Sequence, residues 1–336
     1  MDLRTNAAQL DGWVPIQVKW QQSRPLVDWC YVGARRLTEP FFDQTIQLLM
    51  SQPFNLLFRH QTPIETLLAR RESNPGLQPT GFIFHMSRCG STLVSQMLAA
   101  LPRTVVVSEA SPIDSVLRAH FRVPDLTDDE QIEWLRSMVS ALGQERQGDE
   151  KHFFIKLDCW NTLVLPLIHR AFPGVPWIFL YRNPIEVIVS QLNRRGAHMV
   201  PGVIEPSLFG LNDYAIFKMQ PEEYCARALA KICQSPLLHR EGGRLVNYKQ
   251  LPEAMWNLIP NFFGIKYSDS DIETLNRVAR LDAKNPSLHF TNDTDKKNSS
   301  ATDLMRSMAD KWVTPIYERL ETRRTVSKDN LVEPPV

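Results

Sequence analysis

The sequence predicts an α/β fold of three αβα layers: a central parallel sheet covered by helices on both faces, preceded by a small N-terminal extension. Three observations carry that expectation. Short apolar runs rich in β-branched and aromatic residues alternate with amphipathic stretches between residues 81 and 247. This is the pattern of doubly buried strands and the helices that cover them. The first run stops at a short polar turn and reopens as a helix, in Phe82-Ile83-Phe84-His85-Met86-Ser87-Arg88-Cys89-Gly90-Ser91-Thr92-Leu93. Later runs are also followed by polar or charged residues, and in open parallel sheets ligands bind beyond such carboxyl ends.

Residues 1–75 read as the extension, with a strand over Leu26–Val32 and a helix from Pro40 to Met50, where proline suits the first turn. The turn-rich Glu72-Ser73-Asn74-Pro75-Gly76 is the linker. An α/β domain over 76–325 follows, then a flexible tail over 326–336. Within the domain the expected strands are Gly81–Met86, Thr104–Val107, Phe153–Leu157, Trp177–Tyr181 and Arg244–Asn247. The expected helices are Ser91–Ala100, Pro112–Phe121, Asp128–Leu142, Asn161–Ala171, Pro184–Arg194 and Glu222–His239. Two segments lack periodicity. Residues 196–220 carry Pro201, Pro206 and apolar Val203, Leu208, Phe209 and Leu211 that read as exposed, the mark of a functional lid. Residues 291–300 are polar, with Lys296 and Lys297 adjacent.

A chain of 336 residues, 43% hydrophobic, has ample material for a core. The formal charge of +1, from 38 basic and 37 acidic residues, argues against a general nucleic-acid binder. There is no apolar run long enough to cross a bilayer. The stretch Met1-Asp2-Leu3-Arg4-Thr5-Asn6 lacks the apolar centre of a signal peptide, so a cytoplasmic location is expected. The five cysteines are odd in number and form no Cys-x-x-Cys pair, which predicts neither structural disulfides nor zinc. Cys89 stands beside Arg88 at a helix start, where a thiol pKa can fall; the plainer reading is a small residue filling the loop.

The loop after the first strand aims backbone N–H groups and the positive end of a helix at one point, which makes an anion site. It is close to a Walker A loop without being one. His85 takes the place of the first glycine, Ser91 that of the lysine, and the positive charge moves to Arg88. The Walker lysine bridges the β- and γ-phosphates of a magnesium-bound donor. Its loss favours a donor with a 5′-phosphate that needs a cation and no metal.

Two further anion signals follow. Arg182 stands at the end of the strand Trp177–Tyr181, Pro184 opens a helix, and Ser190 lies about two turns on; a guanidinium fork and a hydroxyl together hold a second phosphate. Lys156 and Asp158, in Phe154-Ile155-Lys156-Leu157-Asp158, flank another strand end. Tyr248 closes the strand Arg244–Asn247, where its ring can lie beside a base.

Together these motifs resemble the sulfotransferase family that uses 3′-phosphoadenosine 5′-phosphosulfate (PAPS), over roughly residues 80–265. The loop is similar to the family's 5′-phosphosulfate loop in its Arg-x-Gly-Ser-Thr form. The segment Tyr181–Ser190 resembles the 3′-phosphate motif, with an arginine eight positions before a serine, and Asn247–Leu251 resembles the late Tyr-Glu-Asp-Leu element. The resemblance implies a P-loop type nucleotide fold and a metal-independent, in-line sulfuryl transfer from PAPS to a hydroxyl or amine of a small-molecule acceptor. The product nucleotide would be adenosine 3′,5′-bisphosphate. It implies donor contacts from Ser87, Arg88, Cys89, Gly90, Ser91, Thr92, Arg182, Ser190 and Tyr248, with Arg88 and Lys156 stabilising the leaving oxygen. Two carboxylates are candidates for the general base. Glu109 matches the glutamate of tyrosylprotein-type members and is favoured; Asp158 stands where aryl-type members carry a histidine. His85 reads as a packed strand-end histidine or an acceptor contact. The late Arg-Lys-Gly motif of aryl-type members is absent, with Lys296, Lys297 and Ser299 as weak replacements. The rival readings are a P-loop kinase using ATP and Mg²⁺ and a nucleotide-binding protein that has lost its chemistry.

Overall fold

An antiparallel sheet and a larger parallel sheet, built from separate parts of the chain, frame the molecule. The computed structural model describes residues 10–21, 24–285, 287–289 and 293–329. The extension forms a sheet of three strands, β1 (Trp13–Gln21), β2 (Arg24–Tyr31) and β3 (His60–Pro63), paired antiparallel in that order. Only β2 was expected. Pro15 argues against a strand, and β1 accommodates it at a register shift between Pro15 and Gln17.

The parallel sheet runs in the order β5-β6-β4-β7-β8, from β4 (Gly81–His85), β5 (Thr104–Ser108), β6 (His152–Lys156), β7 (Trp177–Tyr181) and β8 (Gly243–Asn247). Helices flank it, so the three-layer αβα expectation holds. Every residue of β4, β5 and β7 is buried, which explains why these strands read as continuous apolar runs. The central strand β4 lies between β6 and β7, with Gly81 opposite Phe154 and Phe82 opposite Trp177. All five strands therefore deliver their carboxyl ends to one edge.

Two expected helices are broken. Helix Ser111–Leu117 gives way to a 3₁₀ turn at Ala119–Phe121, and a 3₁₀ segment Cys159–Val164 precedes helix Leu165–Ala171. In the segment 196–220, Val203 is exposed as expected, whereas Phe209 is buried and its ring packs against Tyr224. Leu208 and Leu211 are partly buried against the core. Residues 294–299, in the polar segment without clear periodicity, form a helix. Helix Thr314–Asp329 takes up the start of the expected tail. The rest of that tail, 330–336, lies outside the described residues, as do the first nine residues with the Met1–Asn6 stretch, and 291–292. Among the described residues, no helix is long and apolar enough to cross a membrane.

Candidate active site

The loop between β4 and helix Ser91–Ala100 is held in an unusual backbone conformation. Ser87, Arg88 and Gly90 have φ of 73°, 53° and 86°. A Cβ on Gly90 would stand 2.7 Å from the Leu251 side chain and 3.0 Å from the Tyr248 ring, so glycine is required for space as well as for backbone angle. Ser91 and Thr92 are buried in the first turn of the helix. N–H groups of a first turn lack intrahelical acceptors, and the helix dipole adds positive potential there. Arg88 Nε donates to Ser190 Oγ at 2.8 Å, and Ser87 Oγ accepts from Gln191 Nε2 at 2.8 Å. Cys89 is fully buried and its thiol donates to the Leu180 carbonyl at 3.1 Å. Burial pushes the thiol up to about 12, so the neighbouring arginine and helix start do not activate it.

Arg182 follows β7. Its Nε donates to Glu186 at 2.7 Å, and one Nη reaches Asp293 at 3.1 Å and Thr294 Oγ1 at 3.2 Å. The guanidinium lies 4.0 Å above the centre of the Tyr248 ring. Burial opposes its charge, but Glu186, Tyr248 and Asp293 together more than offset this and hold the pKa above the ordinary value. Because Tyr248 also borders Gly90, and Ser190 holds Arg88, the loop, Arg182, Ser190 and Tyr248 share one cleft.

Beyond the loop the cleft turns acidic. Lys156, at the end of β6, is fully buried. Its Nζ lies 2.6 Å from Glu109 Oε1, 3.4 Å from Thr92 Oγ1 and 4.8 Å from the centre of the Phe41 ring. Glu109 also has a left-handed φ of 53°, and its N–H donates to the Lys156 carbonyl at 2.7 Å. Burial pushes the Glu109 carboxyl up, yet Lys156 and His85 pull it further down, well below the usual carboxylate range. Asp158 moves the other way: burial, then Glu109, Asp114 and Asp43, raise it well above that range. The two candidate bases are therefore shifted in opposite directions, Glu109 toward the ionised form and Asp158 toward the protonated one.

The sequence reading missed several members of this cleft. Asp43 of the extension accepts from Ser111 Oγ at 3.2 Å. Lys284 lies 5.9 Å from the centre of the Phe41 ring, its pKa lowered to about 8 by burial and then by Arg88 and Lys156. Asp293 and Thr294 bind Arg182. Of the proposed replacements for the late motif, Lys297 reaches the cleft, 2.7 Å from Asp293, whereas Lys296 and Ser299 are exposed. The adjacent lysines were the available signal; nothing local marked Asp43 or Lys284.

Comparison with known proteins adds a family. Residues 79–199 match the model of the sulfotransferase family. Among solved structures, the chain is similar to the sulfotransferase domain from the curacin biosynthetic pathway, at 16% identity and TM-score 0.41, over 75% of this chain and 98% of that one. It is similar to a sulfotransferase from Mycobacterium avium at 12% identity and TM-score 0.40, over 93% and 96% of the two chains. It is also similar to retinol dehydratase in complex with androsterone and inactive cofactor PAP, at 14% identity and TM-score 0.29, over 83% and 88%. A search of the curated proteins finds no match.

Proposed function

Taking as premise that the segment 79–199 is of the sulfotransferase family, we propose that the protein transfers the sulfuryl group of PAPS to a hydroxyl or amine of a small-molecule acceptor, without a metal. The observation that carries this reading is the linked set of contacts in which Arg88 meets Ser190, Arg182 lies over Tyr248 beside Gly90, and Lys156 joins Glu109 to Thr92.

The residues fit such a donor. PAPS presents a 5′-phosphosulfate and a separate 3′-phosphate, and supplies an activated sulfuryl group. The loop amides and Arg88 suit the first anion; Arg182 and Ser190 suit the second; the Tyr248 ring offers an apolar face for the base. A phosphate at Arg182 competes with Asp293, whose side chain is about half exposed. In the transfer, the acceptor oxygen or nitrogen bonds to sulfur as the sulfur–oxygen bond to the phosphate breaks. The acceptor's proton goes to Glu109, and Lys156 and Arg88 stabilise the charge left on the departing oxygen. Lys156 contacts both Glu109 and Thr92, in the helix turn that follows the loop. An anion in the loop draws on the same ammonium and so raises the proton affinity of Glu109. Phe41 and Asp43 of the extension, with the segment 196–220, frame the acceptor side. We place the reaction in a cytoplasmic setting.

An untargeted metabolite screen with labelled PAPS, run with and without chelator, tests the reading. Chelator-resistant transfer to a small molecule is the expected result. A thermal shift larger with ATP and Mg²⁺ than with adenosine 3′,5′-bisphosphate would instead favour a kinase.

A further inference from the structure

His85 ends β4 with only 4% of its surface exposed, and its ring touches both halves of the site. Nδ1 accepts the N–H of Ser87 at 3.0 Å, so that nitrogen carries no proton. Burial, with Lys156, lowers the His85 pKa against the pull of Glu109. The ring proton therefore sits on Nε2. Nε2 lies 3.3 Å from Glu109 Oε1, a polar contact without full hydrogen-bond alignment. Lys156 approaches the same oxygen at 2.6 Å. Both contacts thus fall on Oε1. The Glu109 side chain is 21% exposed.

The backbone makes the same point. Among the described residues, the non-glycine positions with left-handed φ are Ser87, Arg88 and Glu109. Such conformations persist only where the surroundings over-determine them. The His85 ring contacts two of the three, from opposite nitrogens.

We infer that His85 is a positioning residue that couples the donor loop to the proton-accepting carboxylate, holding the Ser87 amide with one nitrogen and orienting Glu109 with the other. The inference rests on the roles proposed above for Glu109 and the loop. Lys156, Asp158, Asp43, Lys284 and His198 also act on Glu109 or are acted on by it, so a pH effect of His85 must be separated from theirs.

Two substitutions that each keep one nitrogen's role make the separation. His85→Asn keeps an acceptor near Ser87 and is too short for Glu109; His85→Gln reaches toward Glu109. The Asn variant should bind adenosine 3′,5′-bisphosphate nearly as well as wild type while kcat falls on the order of ten- to a hundredfold through misplacement of the base. Its acid limb should move to higher pH, because the ionised carboxyl has lost a donor. The Gln variant should keep most of kcat and bind the bisphosphate more weakly. Carbon-13 NMR titration of the Glu109 carboxyl reads the contact without any turnover, and should show an upward shift in the Asn variant alone. Melting curves confirm that both variants fold. If the two variants match each other in bisphosphate binding and in Glu109 titration, the histidine only fills space and the inference is overturned. If the wild type fails to bind the bisphosphate, the donor assignment is at fault, and the NMR difference still decides the His85–Glu109 contact.

Discussion

At one end of the cleft, Arg88 and Arg182 each follow the carboxyl end of a parallel strand, and Ser190 of helix Pro184–Asn193 meets Arg88 across 102 residues of sequence. At the other end, Glu109, Lys156 and Asp158 come from two neighbouring strand ends and Asp43 from the extension, so that carboxylates crowd a single buried ammonium. On the function proposed above, the first end receives the anions of the donor; its loop has left-handed backbone at Ser87, Arg88 and Gly90, and its two guanidinium groups are hydrogen-bonded in place. The second is a set of coupled titrations in which the charge of each group depends on its neighbours. The difference predicts that substitutions at the anion end act mainly on binding, and those at the acidic end mainly on the rate of transfer.

The largest effect tests the acidic end. Glu109→Gln should lower kcat on the order of 10² to 10⁴-fold, the range of a lost general base. Asp158→Asn should cost far less, because burial and the neighbouring carboxylates push that carboxyl toward its protonated form, which makes a poor base. Steady-state kinetics on both variants decides the matter, and the reverse ranking would move the base to Asp158. The pH dependence follows from the sign of the Glu109 shift. A carboxyl held below its usual range is ionised above its pKa and loses that form only as pH falls through it. The profile of kcat/KM, which reports the free enzyme, should therefore show no acid limb from Glu109 near neutrality.

A smaller effect tests the anion end. Arg182→Ala removes charged hydrogen bonds worth about 1.5–3 kcal/mol, so affinity for adenosine 3′,5′-bisphosphate should fall about ten- to a hundredfold. Calorimetry that returned wild-type affinity would detach Arg182 from the 3′-phosphate and erase the contrast between the two ends.

The contrast also explains what could be read from the residues alone. The parallel sheet was legible because β4, β5 and β7 are buried on both faces and so carry unbroken apolar runs. The anion end was legible because its parts are local: a glycine turn after a strand, and an arginine and a serine eight positions apart at a helix start. The acidic end was half legible. Glu109 and Lys156 sit at strand ends, but their 2.6 Å contact follows from the β5–β6 register, in which Ser108 pairs with Lys156. Asp43, Lys284 and Asp293 reach the cleft through tertiary packing, from segments with no turn or strand motif to mark them. The His85 contacts depend on a backbone strain at Ser87 and Glu109 that no residue pattern announces.

The smallest effect is expected at Cys89, and it sharpens the comparison by its absence. A helix start and an adjacent arginine ordinarily lower a thiol pKa and make it reactive. Here the side chain is fully buried, its proton is given to the Leu180 carbonyl at 3.1 Å, and burial raises the thiol to about 12. Desolvation outweighs the local positive potential, because that potential is directed into the cleft while the sulfur points into the sheet. Iodoacetamide at about pH 8, followed by peptide mapping, should leave Cys89 unmodified in the folded protein, since so little thiolate exists and none of it is accessible. Rapid labelling at Cys89 would mean that the loop opens on the timescale of the reaction, and the anion end would then be no more rigid than the acidic one.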